Sequence, residues 1–238
     1  MGIWEQLHLN MAAHRLVALV GAGGKTSTLY ALAKEGVEAG RRVVVTTTTH
    51  MMPHPGLPLT DHMEELPDLL ERHPAVTLGQ FLRPDKLSEA GQPEECLRWA
   101  DLVLVEADGA RLRPLKAPAD HEPVIPHGAA AVIAAAGLDC LGRSIGEICH
   151  RPERVRALLG VGEDHILTPA DVAAVLSSPQ GGRKGVTEEM AFRCLLNKAD
   201  TPQRQAWGAE IGEILARQGI FSAVTHYTEK ERGGACLF

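Results

Sequence analysis

A three-layer α/β fold with a mostly parallel sheet is what this 238-residue chain predicts, and three observations carry the prediction. Short runs of Val, Leu, Ile and Ala recur without polar alternation, as strands covered on both faces require. Helical stretches separate those runs, the order expected of a doubly wound sheet. The first apolar run leads straight into Gly21-Ala22-Gly23-Gly24-Lys25-Thr26, a glycine turn that opens a helix.

The elements follow in order. Residues 16–20, 43–47, 102–105, 130–134, 194–196 and 220–224 read as buried strands. Helices are expected over 26–39, 63–72 and 202–218. The last has Thr201 as N-cap, Pro202 in its first turn and Gly219 behind it. Thr168-Pro169-Ala170-Asp171 carries the same start signal for a shorter helix through Leu176. Two segments interrupt the alternation: a Pro-rich loop after the second strand, and a mixed region ending in the glycine loop 180–185. Both read as insertions, around 50–62 and 137–190, into a single domain over 1–238 rather than as a second domain. The length corresponds to about 1.6 average domains, which fits one enlarged α/β unit.

Composition removes several function classes. A net charge of −6 disfavours a sequence-independent grip on nucleic-acid phosphates, and 4% aromatic residues supply no base-stacking platform. The five cysteines are scattered without a C-x-x-C pair, which predicts reduced, buried thiols. The N-terminus lacks a basic signal-peptide start, Gln6 breaks a myristoylation signal, and Cys236 is misplaced for prenylation. The longest apolar run, 129–138, is half a membrane span. A soluble, cytoplasmic protein without nucleic-acid or membrane partners is the expectation.

The chemistry begins at the glycine turn. Glycines let successive backbone N–H groups converge on phosphate oxygens, and the helix end adds a positive dipole. Gly21, Ala22, Gly23, Gly24, Lys25, Thr26 and Ser27 are therefore expected to bind nucleotide phosphates. Lys25 would reach the β- and γ-phosphates, and the Thr26 hydroxyl would ligate Mg²⁺. Leu19 stands where a standard phosphate loop has its first glycine, so this loop is about two residues short. Strand 102–105 ends in Glu106-Ala107-Asp108, the place for carboxylates that hold the Mg²⁺ water shell or polarise an attacking water. Glu106 and Asp108 are the expected metal and catalytic carboxylates, with Lys25 the catalytic cation. In the threonine run 46–49, Thr48 is expected as a second hydroxyl on the metal.

Two further clusters stand out. Asn197-Lys198-Ala199-Asp200 follows an apolar strand and has the N-K-x-D form that reads guanine. The carboxylate accepts from N1–H and the exocyclic amine, which adenine cannot offer, and the Asn contacts the base edge. GTP is thus favoured over ATP, with Ser222-Ala223 resembling the small base-supporting motif of GTPases. Arg111, Arg113 and Lys116, followed by His121, place local positive charge beside the carboxylates, as an anionic second ligand would require. Asp120-His121-Glu122 does not converge readily enough to be read as a metal site. His50, His54 and Cys149-His150 read as structural, and Met51-Met52 as packing.

Together the loop, Val45-Thr46-Thr47-Thr48-Thr49-His50-Met51, Val105-Glu106-Ala107-Asp108-Gly109-Ala110-Arg111, Pro114-Leu115-Lys116, His121-Glu122-Pro123-Val124-Ile125-Pro126 and His150-Arg151-Pro152-Glu153 resemble the YqeC family. The resemblance implies a P-loop NTPase-like protein that assists maturation of a selenium-dependent molybdenum hydroxylase. That hydroxylase or a cofactor-maturation protein would then be its partner. The order of loop, carboxylate strand and N-K-x-D resembles SIMIBI-type metallochaperone NTPases. Three activities follow: a Mg²⁺-dependent NTPase, a small-molecule kinase or nucleotidyl-type transferase on an anionic cofactor precursor, and a nucleotide-gated scaffold with little turnover. Nothing in the sequence sets the oligomeric state, a homodimer included.

Overall fold

A computed structural model describes residues 1–227. In chain order the strands are β1 (Leu16–Gly21), β2 (Val43–Thr47), β3 (His50–Met51), β4 (Leu59–Thr60), β5 (Ala75–Leu78), β6 (Gln80–Arg83) and β7 (Lys86–Ser88). They continue with β8 (Leu102–Glu106), β9 (Leu115–Lys116), β10 (Ala131–Gly137), β11 (Cys149–His150), β12 (Ala191–Asn197) and β13 (Phe221–Val224). The helices are α1 (Ile3–Gln6), α2 (Lys25–Glu38), α3 (Leu66–Arg72), α4 (Ile145–Ile148), α5 (Pro152–Leu159), α6 (Pro169–Ser177) and α7 (Pro202–Ala216).

Eight strands form one sheet in the order β13-β12-β10-β1-β8-β2-β5-β4. Every pairing in it is parallel. The expected "mostly parallel" sheet is therefore wholly parallel. Antiparallel pairing is confined to a separate sheet, β3-β7-β6, and β9 pairs with β11 in a third. The alternating pleat explains the apolar runs. Val17, Leu19, Val43, Val45, Leu102 and Leu104 pack under α1 and α2. On the other face Ala18, Val20, Val132 and Ala134 meet α6 and α7. Also on that face, Leu16, Val44, Val76, Val103 and Val105 meet α3 and the 3-10 turn Pro93–Arg98. Helix, sheet and helix give the three layers.

All six expected strands form, and β10 and β12 are longer than expected. Strands β4 and β5 were not anticipated. The four apolar-to-polar residues of β5 lie between Pro74 and Gly79 and are too short to show a period. β4 lies in the segment read as an insertion, yet it extends the main sheet beside β5. The helix expected over 63–72 begins as a 3-10 turn, Met63–Glu65, before α3. Both predicted caps form. Thr201 Oγ1 accepts from Arg204 N at 3.2 Å. Thr168 and Asp171 make a reciprocal capping box.

Cys96, Cys140, Cys149 and Cys194 are buried free thiols, whereas Cys236 lies outside the described residues. Burial pushes the Cys96 and Cys149 thiols up to about 12, away from nucleophilic thiolate character. Met51 is buried as expected, but Met52 is half exposed. No helix among the described residues is long and apolar enough to cross a membrane.

Candidate functional site: a glycine-turn helix over a chain of buried charges

The connection leaving β1 runs toward β2, while the one leaving β10 runs the other way toward β12. These two neighbours therefore bracket the switch point at the sheet's carboxyl edge, where open α/β sheets bind ligands. The loop 22–24 crosses that point. Gly21, Gly23 and Gly24 have φ of +87°, +80° and +119°, conformations that only glycine adopts freely.

Their first task is to seat the loop. Ala22 N donates to Ala135 O at 2.8 Å and Gly23 N to Arg113 O at 3.1 Å. Gly21 N donates to Asp108 Oδ2 at 3.0 Å. A Cβ on Gly21 would stand 2.4 Å from Ala135 O, and one on Gly23 2.1 Å from Gly137 N. The shortened loop thus lies flat on the end of β10, and the N–H groups of Gly21, Ala22 and Gly23 are turned to protein acceptors. That corrects the expectation of a phosphate cradle built from all seven residues. Gly24, Lys25, Thr26 and Ser27 are the part whose N–H groups open the helix. α2 starts on Gly24 without a side-chain cap, so its first turn keeps unpaired donors and a positive dipole end.

Lys25 is 4% exposed. Its Nζ donates to Gly21 O at 2.9 Å and sits 3.1 Å from Asp108 Oδ1 and 3.6 Å from Glu106 Oε1. Thr26 Oγ1 donates to Glu106 Oε2 at 2.6 Å. Lys25, Thr26, Glu106 and Asp108 are brought together as the motifs predict, although β8 ends at Glu106 and Asp108 reaches in from the following loop. Burial opposes the Lys25 charge, but Asp108 and Glu106 outweigh it and hold the ammonium above its usual range. Burial pushes Glu106 the other way, above the ordinary carboxylate range, with Lys25 and Thr26 offsetting part of that.

The charges continue past Asp108. Lys116 Nζ lies 3.1 Å from Asp108 Oδ2, donates to Gly109 O at 2.6 Å and to Glu122 Oε2 at 2.7 Å. Glu122 in turn accepts from Arg151 Nη1 at 2.7 Å and Nη2 at 3.2 Å. Burial would raise the Glu122 carboxyl, yet Lys116 and Arg151 hold it at about 2. Lys116 is fully buried with all three donors engaged, so it is not the solvent-facing cation expected of a second-ligand site.

Other expected residues part company. The Thr48 hydroxyl donates to Val124 O at 2.6 Å, so it braces a loop instead of facing Lys25. Arg111 and Arg113 are exposed on a turn that includes left-handed Arg111 and Leu112. Arg113 contributes its carbonyl to Gly23, while its guanidinium caps Glu147 O. His121 is exposed and apart from the buried chain. Among the described residues no group of three or more His, Cys, Asp or Glu side chains is placed to hold a metal by itself.

Asn197 ends β12 and is turned inward. Its Nδ2 donates to Gly23 O at 3.0 Å, and its Oδ1 accepts from Thr225 Oγ1 at 3.2 Å. It ties the N-K-x-D turn to the phosphate loop instead of offering its amide to a base edge. Lys198, with φ +65°, reaches Asp139 Oδ2 at 2.6 Å, and Asp200 Oδ1 accepts from Arg204 at 2.5 Å. Ser222 and Ala223 lie inside β13, opposite Cys194 and Leu195, so the brace for this turn is Thr225. Beside Ser27 a cavity of about 350 Å³ opens between α2 and residues 225–227.

Sequence reasoning missed Glu122 and Arg151 as partners of the site. They are 29 residues apart, and no spacing rule joins them. The family described as YqeC protein matches residues 17–153, the stretch that holds the loop, Glu106, Asp108, Lys116, Glu122 and Arg151. "Uncharacterized protein YqeC" of Escherichia coli (strain K12) is 36% identical over 190 residues, covering 73% of this chain and 72% of the relative. With more than half its length inside the family match and a relative of this identity and coverage, the chain belongs to the YqeC family.

Proposed function

We propose that this protein binds a nucleoside triphosphate with Mg²⁺ at the start of α2 and uses it as an accessory factor in maturing a selenium-dependent molybdenum hydroxylase. The observation that carries the nucleotide reading is the uncapped helix end at the switch point, with Lys25 held between Glu106 and Asp108 and Thr26 hydrogen-bonded to Glu106. The N–H groups of residues 24–27 would take phosphate oxygens, and Lys25 would swing from its carboxylates to the β/γ-phosphates. One hydroxyl and two carboxylates suit Mg²⁺, which keeps several waters and binds through few protein oxygens plus phosphates. Thr26, Glu106 and Asp108 would hold it, and it would supply charge neutralisation of the phosphates. The pathway assignment rests on the family resemblance, and the choice of GTP over ATP on Asp200.

Titration calorimetry with GTP, ATP and CTP in Mg²⁺ tests this. Wild type should bind at least one triphosphate and Lys25→Ala should lose most of that affinity. A wild type that binds none of the three refutes the reading. The exposed Arg111–Arg113 turn, whose backbone touches the phosphate loop, favours a second reading: transfer to an anionic acceptor. Phosphate release that needs no acceptor supports the NTPase, and turnover only with an acceptor supports the transferase.

A further inference from the structure

Beyond the loop itself, an alternating chain of charges runs Glu106, Lys25, Asp108, Lys116, Glu122, Arg151, three carboxylates against three cations, buried except for the half-buried Arg151. Lys25 is the only one of these cations that the nucleotide reading requires to move. When it leaves for a phosphate, Asp108 and Glu106 would share only the proposed Mg²⁺ as a counter-charge, unless another cation stays. Lys116 is built to stay. Its side chain is fully buried, and three acceptors hold it: Gly109 O at 2.6 Å, Glu122 Oε2 at 2.7 Å and Asp108 Oδ2 at 3.1 Å.

Glu122 cannot drift away either, because the Arg151 fork grips it at 2.7 and 3.2 Å. Asp108 also fixes Gly21 N at 3.0 Å, so its position sets the start of the phosphate loop. We infer that Lys116 is a positioning residue for nucleotide binding. It is the standing counter-ion of Asp108 that lets Lys25 be released to the triphosphate, while Glu122 and Arg151 hold Lys116 in place. This inference rests on the nucleotide-binding reading above and assigns Lys116 a role in it distinct from contact with any ligand.

With Lys116→Met, Asp108 keeps Lys25 as its only ammonium partner, so Lys25 is held more tightly and is harder to release to the triphosphate. Affinity for GTP and ATP in Mg²⁺, read by calorimetry on the full chain, should fall roughly tenfold or more, the scale of one charge-assisted hydrogen bond. Lys116→Arg should keep most of the affinity.

Should Lys116→Met fail to fold, the same comparison is made in Lys116→Met/Glu122→Gln, whose charge chain remains balanced. Unchanged affinity in Lys116→Met, or a loss in Lys116→Arg as large as in Lys116→Met, overturns the role of Lys116 while leaving nucleotide binding intact. A wild type that binds neither triphosphate overturns both.

Discussion

Replacing Gly23 with alanine separates the cost of a left-handed backbone from the cost of lifting the loop off β10. At Gly23, φ is +80° and an added Cβ would lie 2.1 Å from Gly137 N, 2.6 Å from Gly137 Cα and 2.9 Å from Ala136 C, all backbone atoms that cannot step aside. Gly40, just past the end of α2, has φ +73° and nothing within 4 Å of the same added atom. Gly40→Ala therefore costs only the left-handed conformation, about 1–2 kcal/mol. Gly23→Ala adds the clash, and relieving it breaks the bonds from Gly23 N to Arg113 O and from Asn197 Nδ2 to Gly23 O. Two buried hydrogen bonds are worth about 1 kcal/mol each, so Gly23→Ala should be less stable than Gly40→Ala by roughly 2 kcal/mol or more. In a chain of this size that separates the two melting temperatures by roughly 4–8 °C, a gap that thermal unfolding followed by circular dichroism resolves. Nucleotide affinity should fall in Gly23→Ala and persist in Gly40→Ala. Equal melting temperatures would refute the claim that the loop is held down on β10.

Three further outcomes follow from individual side chains. Asp200→Asn should weaken GTP about ten- to a hundredfold without improving ATP; unchanged GTP affinity would reduce the N-K-x-D turn to a brace on the loop. Glu122 is held at about 2, below its ordinary 4.5, so the stability it contributes is complete above about 4.5 and is lost as pH falls toward 2. Glu122→Gln should melt lower than wild type at neutral pH, with the difference narrowing over that acid window; a constant difference from pH 7 to 2.5 would contradict the ion-pair account. Thr168→Ala removes the side-chain arm of the capping box, leaving only the backbone N–H of residue 168 on Asp171, and should cost about 1 kcal/mol in urea unfolding, whereas no shift in midpoint would show that the cap is not holding α6.

By itself the sequence determined the layers and which side chains gather at the start of α2. Val43 to Val45 and Leu102 to Val105 are apolar on both faces of the pleat, as a parallel sheet between two helical layers requires. Thr168, Thr201 and the Gly24-Lys25 junction declare helix starts through local hydrogen bonding and backbone freedom, which neighbouring residues decide. Lys25, Thr26, Glu106 and Asp108 were legible because each sits at the end of such an element.

The tertiary structure alone decided what those groups face. Asn197 meets Gly23 across 174 residues and turns from a base reader into a clamp on the loop. Ser222-Ala223, already inside an expected strand, is set opposite Cys194 and Leu195 by the register of β13 with β12. Lys116 looks like a surface cation beside Arg111 and Arg113, yet the pairing of β9 with β11 sets it next to His150 and within reach of Asp108 and Glu122. Charge in a sequence carries a sign and a position along the chain. Whether it faces solvent, a ligand or another buried charge depends on the desolvation and pairing that folding imposes, and those are set by residues far away in sequence.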